Sequence, residues 1–129
     1  MVAGPNPARG SILGEKTSLE TSPISFEEFK KLDMRVGTVI SVERLKRTER
    51  LYKIKVDLGE LGTRQTISSL VGYYTPEQLL HKKIVFLVNL KPTKFAGEVS
   101  EGMLLAAKKG QTLALLSVDR EIPNGAKVT

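Results

Sequence analysis

The chain has 129 residues, a length that favours one domain with a core of its own. Its 20 lysines and arginines outnumber 14 aspartates and glutamates, and the net charge of +6 favours a polyanionic partner, either a nucleic acid or an anionic membrane surface. The absence of cysteine excludes disulfides and thiolate metal sites, His81 is the only histidine, and no apolar run approaches the ~20 residues that cross a bilayer. Because the N-terminus also lacks the pattern of a signal peptide, we predict a cytoplasmic protein without a metal site.

Residues 1–22 are predicted to form a flexible N-terminal arm, because they are rich in Gly, Pro and Ala and show no apolar period. The domain is predicted to span residues 23–129. Ser25 and Glu28 have the spacing of a capping box, in which each side chain binds the other's free backbone N–H. This pair predicts a short helix that ends near Lys31. The residues predicted to face inward from it are Phe26, Phe29 and Leu32.

A strand is predicted over residues 33–42, which are rich in β-branched side chains. Gly37 interrupts this strand, and a glycine inside a strand indicates a bulge or a sharp bend. Residues 44–50 then form the densest basic run of the chain. This run is either a solvated loop or a set of phosphate contacts, which would be Lys46, Arg47 and Arg50.

Residues 51–58 give the clearest strand signal, because apolar and polar side chains alternate there. The apolar face is predicted to contain Tyr52, Ile54, Val56 and Leu58. A turn at residues 59–62 leads into a second strand over residues 63–70. The cations of this hairpin, Lys53, Lys55 and Arg64, either line a groove for phosphates or form the solvated side of a barrel.

A second capped helix is predicted from Thr75, with Pro76 at its first position and Gln78 completing the capping box. Tyr73 and Tyr74 precede it and either stack on bases or pack beneath the helix. The residues predicted to plug one end of a barrel are Leu79 and Leu80.

Three further segments complete the predicted architecture: a strand over residues 83–89, a hairpin arm over 99–108 with Met103, Leu104 and Leu105 near the core, and a closing strand over 112–118. Several short strands, two capped helices and frequent turn residues are typical of a small closed β-barrel.

The loop after the strand at 83–89 is polar, basic and conformationally restricted, as a binding site on a rigid scaffold requires. It contains Asn89-Leu90-Lys91-Pro92 and, further on, Ser100-x-Gly102-Met103. These two motifs resemble those of the EMAP-type tRNA-binding domain family. Four other segments resemble that family in place and order: Asp33 to Gly37, Tyr52 to Gly59, Tyr74 to Leu79 and Ile122 to Lys127. The resemblance covers roughly residues 24–128.

The resemblance implies a mainly β protein with an OB-fold, a five-stranded Greek-key barrel with short capping helices and a C-terminal extension, and it implies a homodimer. It also implies binding of tRNA at the outer corner of the L, with little preference among tRNAs. Such a module acts as part of a methionyl-tRNA synthetase, as its β-subunit-like partner, or as a free-standing tRNA-binding protein. A methionyl-tRNA synthetase catalytic subunit is therefore an expected partner.

The RNA contacts that the resemblance implies are Arg35, Lys53, Lys55, Arg64, Asn89, Lys91, Lys94, Ser100 and Met103. Two of them have alternatives, because Asn89 is also suited to hydrogen-bond the following loop and Met103 to fill the core. The chain departs from the family at residues 45–51, where the relatives often carry a His-Pro-x-Ala-Asp-Lys-Leu loop.

Binding is the predicted activity, since the sequence contains no phosphate cradle, dinucleotide fingerprint or nucleophile elbow. We predict no enzyme activity, no catalytic residue and no cofactor. Aromatic residues are only 5% of the chain, so base stacking cannot dominate, and a structured RNA read through its backbone fits better. The alternatives are an export-chaperone-like peptide-binding dimer, whose small relatives tend to lose the two loop motifs, and a cytokine-like or scaffold role.

Overall fold

The computed structural model describes residues 21–129, which fall into two compact units. The first unit ends at Leu32 and also includes Thr129, and the second spans Asp33–Val128. The predicted arm over residues 1–22 lies almost wholly outside the described residues, so the division at residues 22 and 23 stays a prediction.

The described part of the first unit contains one short helix, α1 (Phe26–Phe29). Its capping box is confirmed, because Ser25 Oγ accepts from Glu28 N at 3.0 Å and Glu28 Oε1 accepts from Ser25 N at 2.9 Å. The prediction that Phe26 and Leu32 face inward is wrong, since they are 49% and 41% exposed. A helix of one turn buries little, and the Phe26 ring lies instead against Phe29, with the ring centroids 6.3 Å apart.

The second unit is built on a five-stranded antiparallel sheet. Its strands are β1 (Met34–Arg44), β2 (Tyr52–Asp57), β3 (Thr63–Ser68), β4 (Lys83–Leu87) and β7 (Met103–Leu104), and their order in the sheet is β3-β2-β1-β4-β7. Two hairpins lie outside this sheet, β5 (Thr93–Phe95) with β6 (Glu98–Ser100) and β8 (Ala106–Lys109) with β9 (Thr112–Leu115). A 3-10 helix, Gly59–Leu61, joins β2 to β3, and helix α2 (Pro76–Leu79) precedes β4.

The core lies inside the curved sheet, where the predicted apolar face of β2 is buried. Phe86 of β4 and Leu79 of α2 complete this core, and neither has measurable exposure. The second capping box is confirmed, and Leu79 plugs the barrel as predicted. Leu80 does not, because its extended backbone follows the end of the helix and leaves the side chain 39% exposed.

Of the two predictions for Gly37, the bulge is wrong, because the register irregularity of β1 lies between Val39 and Ser41, and the sharp bend stays a prediction. The irregularity lies near the point where β1 exchanges one partner for another, because it pairs with β4 up to Thr38 and with β2 from Thr38 onwards. Gly37 is required for a close approach, since a Cβ there would lie 2.6 Å from Val56 Cγ1.

The barrel is nearly closed by contacts between β3 and the segment that joins β6 to β7. Thr66 Oγ1 donates to Gly102 O at 2.8 Å, and Ser100 Oγ accepts from Ile67 N at 3.1 Å. Glu101 N also donates to Gln65 O at 2.8 Å. The predicted five-stranded OB-type barrel is therefore confirmed.

The strand that closes the sheet is not the predicted one. The sequence predicts that residues 112–118 close the barrel, but among the described strands β9 pairs only with β8, and the short β7 takes the fifth place beside β4. Local apolar patterning is the same for both arrangements, so the sequence does not distinguish them.

The predicted C-terminal extension is present and runs along β1 and β4. Val85 N donates to Leu116 O at 3.2 Å, Val36 N donates to Ala126 O at 2.9 Å, and Val128 N donates to Met34 O at 2.8 Å. These bonds occupy edges of the strands that the rest of the barrel leaves unpaired, so the extension is part of the fold.

Candidate nucleic-acid interface

The outer face of β2 is cationic because its polar residues alternate with the buried apolar ones. The register places Lys55 opposite Ser41 on one side and opposite Gln65 on the other. Directly opposed residues share a face, so these polar side chains form one solvated surface over β1, β2 and β3.

The β5–β6 hairpin lies against this outer face. Gln65 Nε2 donates to Val99 O at 2.8 Å, and Val99 is the cross-strand partner of Lys94. Because Gln65 also stands opposite Lys55, this series of contacts brings Lys94 and Lys55 to the same side of the barrel. Lys91 lies in the loop that enters the hairpin.

Three of the predicted contacts form what we call the lysine surface: Lys55, Lys91 and Lys94. All three are exposed, and within residues 21–129 none of their amines has an ion pair or a hydrogen bond. Fully solvated amines with no carboxylate partner are free to replace the counterions of a phosphate backbone.

Lys53 differs from these lysines although it is on the same face of β2. Its amine lies 3.5 Å from carboxylate oxygens of both Glu43 and Glu98, and its side chain is only 20% exposed. Two carboxylates neutralise its charge, so Lys53 is suited to hold the hairpin against the sheet.

Arg64 is not on the outer face, because it stands opposite Val56 and therefore shares the face of the core. Its side chain reaches the end of β4, where Nη1 donates to Val88 O at 3.0 Å. Val88 N in turn donates to Asp33 O at 2.8 Å. The guanidinium group of Arg64 therefore lies at the end of β4, near the loop that contains Lys91.

Asn89 and Arg35 meet at the same strand end through Asp33. Asn89 Oδ1 accepts from Asp33 N at 2.9 Å, and Arg35 Nε donates to Asp33 Oδ1 at 2.7 Å. Lys127 was not among the predicted contacts, but its amine lies 4.0 Å from Asp33 Oδ1. We call Arg35, Arg64, Asn89 and Lys127 the strand-end cluster.

Ser100 and Met103, from one motif, have opposite environments. Ser100 is only 6% exposed, and its hydroxyl binds Ile67 N, Thr66 Oγ1 and Gly102 O. Met103 stands opposite Leu87 and is 43% exposed, so it does not fill the core.

The basic loop between β1 and β2 divides its cations between two places. Lys46 and Arg47 line a cleft of about 310 Å³ together with the hairpin tip at Gly97. Arg50 lines a different cleft, with Tyr73 and Lys108. The loop is anchored between them by Leu45, which is buried and whose N–H donates to Leu51 O.

Phe95 is a further candidate that the sequence did not indicate. It is 45% exposed on β5, where strand alternation turns its ring to the face opposite that of Lys94, and an exposed phenylalanine is suited to stack on a base. The exposure of Phe95 and the proximity of Lys127 to Asp33 depend on tertiary structure, so the sequence did not indicate them.

Within residues 21–129, no cluster of three or more potential metal ligands is found. No described helix is both long and apolar enough to cross a membrane.

Comparison with known proteins identifies the family of this segment. Residues 34–127 match the model of a family described as "Putative tRNA binding domain". The methionine–tRNA ligase of Methanosarcina mazei is 46% identical over 116 residues, which are 88% of this chain and 16% of that protein. The chain thus spans only about a sixth of the length of that curated relative.

Two solved structures resemble the chain over their whole length. A MetRS related protein from Pyrococcus horikoshii superposes with a TM-score of 0.79 at 39% identity, covering 84% of this chain and 100% of that one. The chaperone CsaA from Bacillus anthracis superposes with a TM-score of 0.75 at 34% identity, with the same two coverages.

Proposed function

Because the chain belongs to the tRNA-binding domain family, we propose that it binds tRNA through the lysine surface and the strand-end cluster. The observation that carries this proposal is that Lys55 and Lys94 lie on one side of the barrel, with Lys91 in the loop that leads to Lys94, and that no carboxylate of residues 21–129 pairs with their amines. Contacts to phosphates give affinity without reading the base sequence, so the module is expected to accept many tRNAs.

The predicted contacts take different parts in this proposal. The three surface lysines bind phosphates directly, and Lys46 and Arg47 extend the cationic surface to the neighbouring cleft. The guanidinium group of Arg64 gives one of its five donors to Val88 and offers the others to the RNA.

Lys53 and Ser100 support the site from within the protein. The hydroxyl of Ser100 is buried with three protein partners, and the amine of Lys53 is shared by two carboxylates. Both residues fix the β5–β6 hairpin that carries Lys94. Their effect on RNA binding is therefore positional, as preorganised binding sites require.

A salt titration of tRNA binding tests the phosphate contacts. If about six phosphates are neutralised, affinity should fall about a thousandfold between roughly 50 and 200 mM salt. Filter binding with several different tRNAs should give the same slope, because the contacts ignore base identity. Affinity that does not depend on salt would contradict the proposal.

The relatives that contain this segment suggest how it acts. A similar segment makes up 16% of the methionine–tRNA ligase of Methanosarcina mazei, and the MetRS related protein from Pyrococcus horikoshii consists of this fold alone. We propose a non-catalytic module that raises the affinity of a methionyl-tRNA synthetase for tRNA, either attached to it or as a separate partner. A cytoplasmic location stays a prediction.

We also propose that the chain forms a homodimer. Ile40, Leu80, Leu116 and Ile122 are apolar and 38–44% exposed. Hydrogen bonds connect the segments of Ile40 and Leu80, since His81 N donates to Val39 O, and connect Leu116 to β4, since Val85 N donates to Leu116 O. Light scattering at micromolar concentration should give twice the 14.2 kDa of one chain. Leu116→Glu should halve that mass, because a symmetric interface contains the substitution twice, whereas a monomeric wild type would contradict the dimer.

The chaperone-like alternative is not favoured. The family match is to a tRNA-binding domain, and the synthetase relative is 46% identical against 34% for the chaperone structure. The chain also keeps both loop motifs, Asn89 to Pro92 and Ser100 to Met103. Capture of an unfolded peptide that tRNA cannot displace would restore this alternative.

A further inference from the structure

A second cleft of about 600 Å³ lies where β3 ends, away from the lysine surface. Its walls come from the loop after β3 and from the β8–β9 hairpin. We call it the tyrosine cleft; its lining includes Arg50, Ser69, Tyr73, Lys108 and Gln111, and Val71 and Leu113 add apolar side chains. Its volume is within the range of small-ligand sites.

The ring of Tyr73 is partly exposed, and a lysine amine lies over one of its faces. Tyr73 is 37% exposed, and the Lys108 amine lies 5.8 Å from the ring centroid. Neighbouring Tyr74 instead packs against the core, so the two tyrosines before α2 have different roles. A lysine above an exposed ring is held weakly, so a base can take its place.

The loop that carries Tyr73 is fixed in place. Tyr73 N and Tyr74 N both donate to Leu70 O at 3.0 Å. Tyr74 Oη accepts from Leu115 N at 3.1 Å, and Tyr74 O accepts from Tyr52 Oη at 2.8 Å. These bonds connect the loop to β2 and β9, so the ring is presented by a rigid scaffold.

The charge of the cleft selects an anion. Of the residues that line it, Arg50 and Lys108 are cations and none is a carboxylate. Neither side chain has an ion pair within the described part of the chain. Ser69 and Gln111 add polar groups beside the ring. Cations, an aromatic face and polar side chains together match a nucleotide: a base, a ribose and a phosphate.

We propose that the tyrosine cleft binds one unpaired nucleotide of the RNA, with its base on Tyr73 and its phosphate between Arg50 and Lys108. This inference rests on the proposed tRNA binding and adds a second contact to it. In this arrangement the phosphate backbone of a structured RNA contacts the lysine surface. An unpaired nucleotide that projects from the folded RNA enters the cleft.

A tryptophan reporter tests the stacking, because the chain contains no tryptophan of its own. Tyr73→Trp places a single indole in the cleft. A single-stranded RNA of about six nucleotides should quench its fluorescence through stacking. An abasic oligonucleotide of the same length has the same backbone charge but no bases, and it should leave the emission unchanged.

Two substitutions measure the contribution of the ring to affinity. Tyr73→Leu should weaken binding of the same short RNA about tenfold, whereas Tyr73→Phe should bind nearly as well as the wild type. Lys108→Ala should lower the salt slope by about 0.7, the value for one phosphate contact of a single strand. Equal melting temperatures would show that the exposed substitutions leave the fold intact.

The outcomes separate this inference from the proposed function. Two results would show that the tyrosine cleft is not a nucleotide site although the wild type binds tRNA. One is equal affinity of the Tyr73→Leu and Tyr73→Phe variants for the short RNA, and the other is equal fluorescence of the Tyr73→Trp variant with the RNA and with the abasic oligonucleotide. If the wild type fails to bind tRNA while the short RNA still quenches the indole of the Tyr73→Trp variant, the proposed tRNA binding is contradicted and the nucleotide site in the tyrosine cleft is supported.

Discussion

The double variant Lys91→Ala, Lys94→Ala is expected to bind every tRNA tested roughly thirtyfold more weakly than the wild type, a loss of about 2 kcal/mol for two charge-assisted contacts. The loss should be uniform across tRNAs because phosphates carry no sequence information. Filter binding or fluorescence anisotropy with labelled tRNA measures it directly. The salt slope should also become shallower by about 2.

The fold should not change in this variant. Both side chains are exposed, and neither amine contacts another group within residues 21–129. Substitutions of this kind change the free energy of unfolding by less than about 0.5 kcal/mol. A thermal melt that matches the wild type would therefore assign the lost affinity to the RNA contacts.

A charge-matched control separates local contacts from net charge. Lys82→Ala, Arg120→Ala removes the same number of charges. Lys82 precedes β4 whereas Asn89 follows its end, and a strand of that length spans about 16 Å; Arg120 is paired with its neighbour Asp119 and is not one of the predicted contacts. The control should keep most of its affinity. Equal losses in both double variants would mean that tRNA responds to the total charge and not to the lysine surface.

Local chemistry made much of the fold predictable. Both capping boxes depend on residues three apart, and the alternation in β2 fixes which side chains are buried. The bulge was misplaced because its cause is not local. Gly37 was visible in the sequence, but the exchange of β4 for β2 as the partner of β1, near Val39, was not.

The sequence predicts which kinds of side chain form the site, but not which partners surround each of them. The sequence indicated cations at Lys53 and Lys55 alike, but Glu98, which neutralises Lys53, lies 45 positions further along the chain. Ser100 was grouped with the contacts through its motif, and its burial depends on Thr66 across the barrel. Partners at such distances set the environment of a side chain, and periodicity does not report them.

The motif that contains Ser100 also contains a position where a substitution should damage the fold. Gly102→Ala is expected to lower the free energy of unfolding by about 3 kcal/mol, as overpacking of a filled core does. A Cβ on Gly102 would lie 2.4 Å from Phe86 Cε2 and 2.6 Å from Leu87 O. The ring of Phe86 is fully buried, so it has no free space into which to move.

The expected measurement for Gly102→Ala is a melting temperature lower by roughly 10 °C. Gly110→Ala is the matched control, because its φ of 60° is strained for alanine but no atom lies within 4 Å of the added carbon. That strain costs about 1–2 kcal/mol, so the control should melt closer to the wild type. Equal melting temperatures for the two variants would contradict the close packing against Phe86. The larger loss at Gly102 would show that the missing side chain allows the backbone to pass close to the core. That close approach places the Gly102 carbonyl where it accepts a hydrogen bond from Thr66, and this bond closes the barrel beneath the lysine surface.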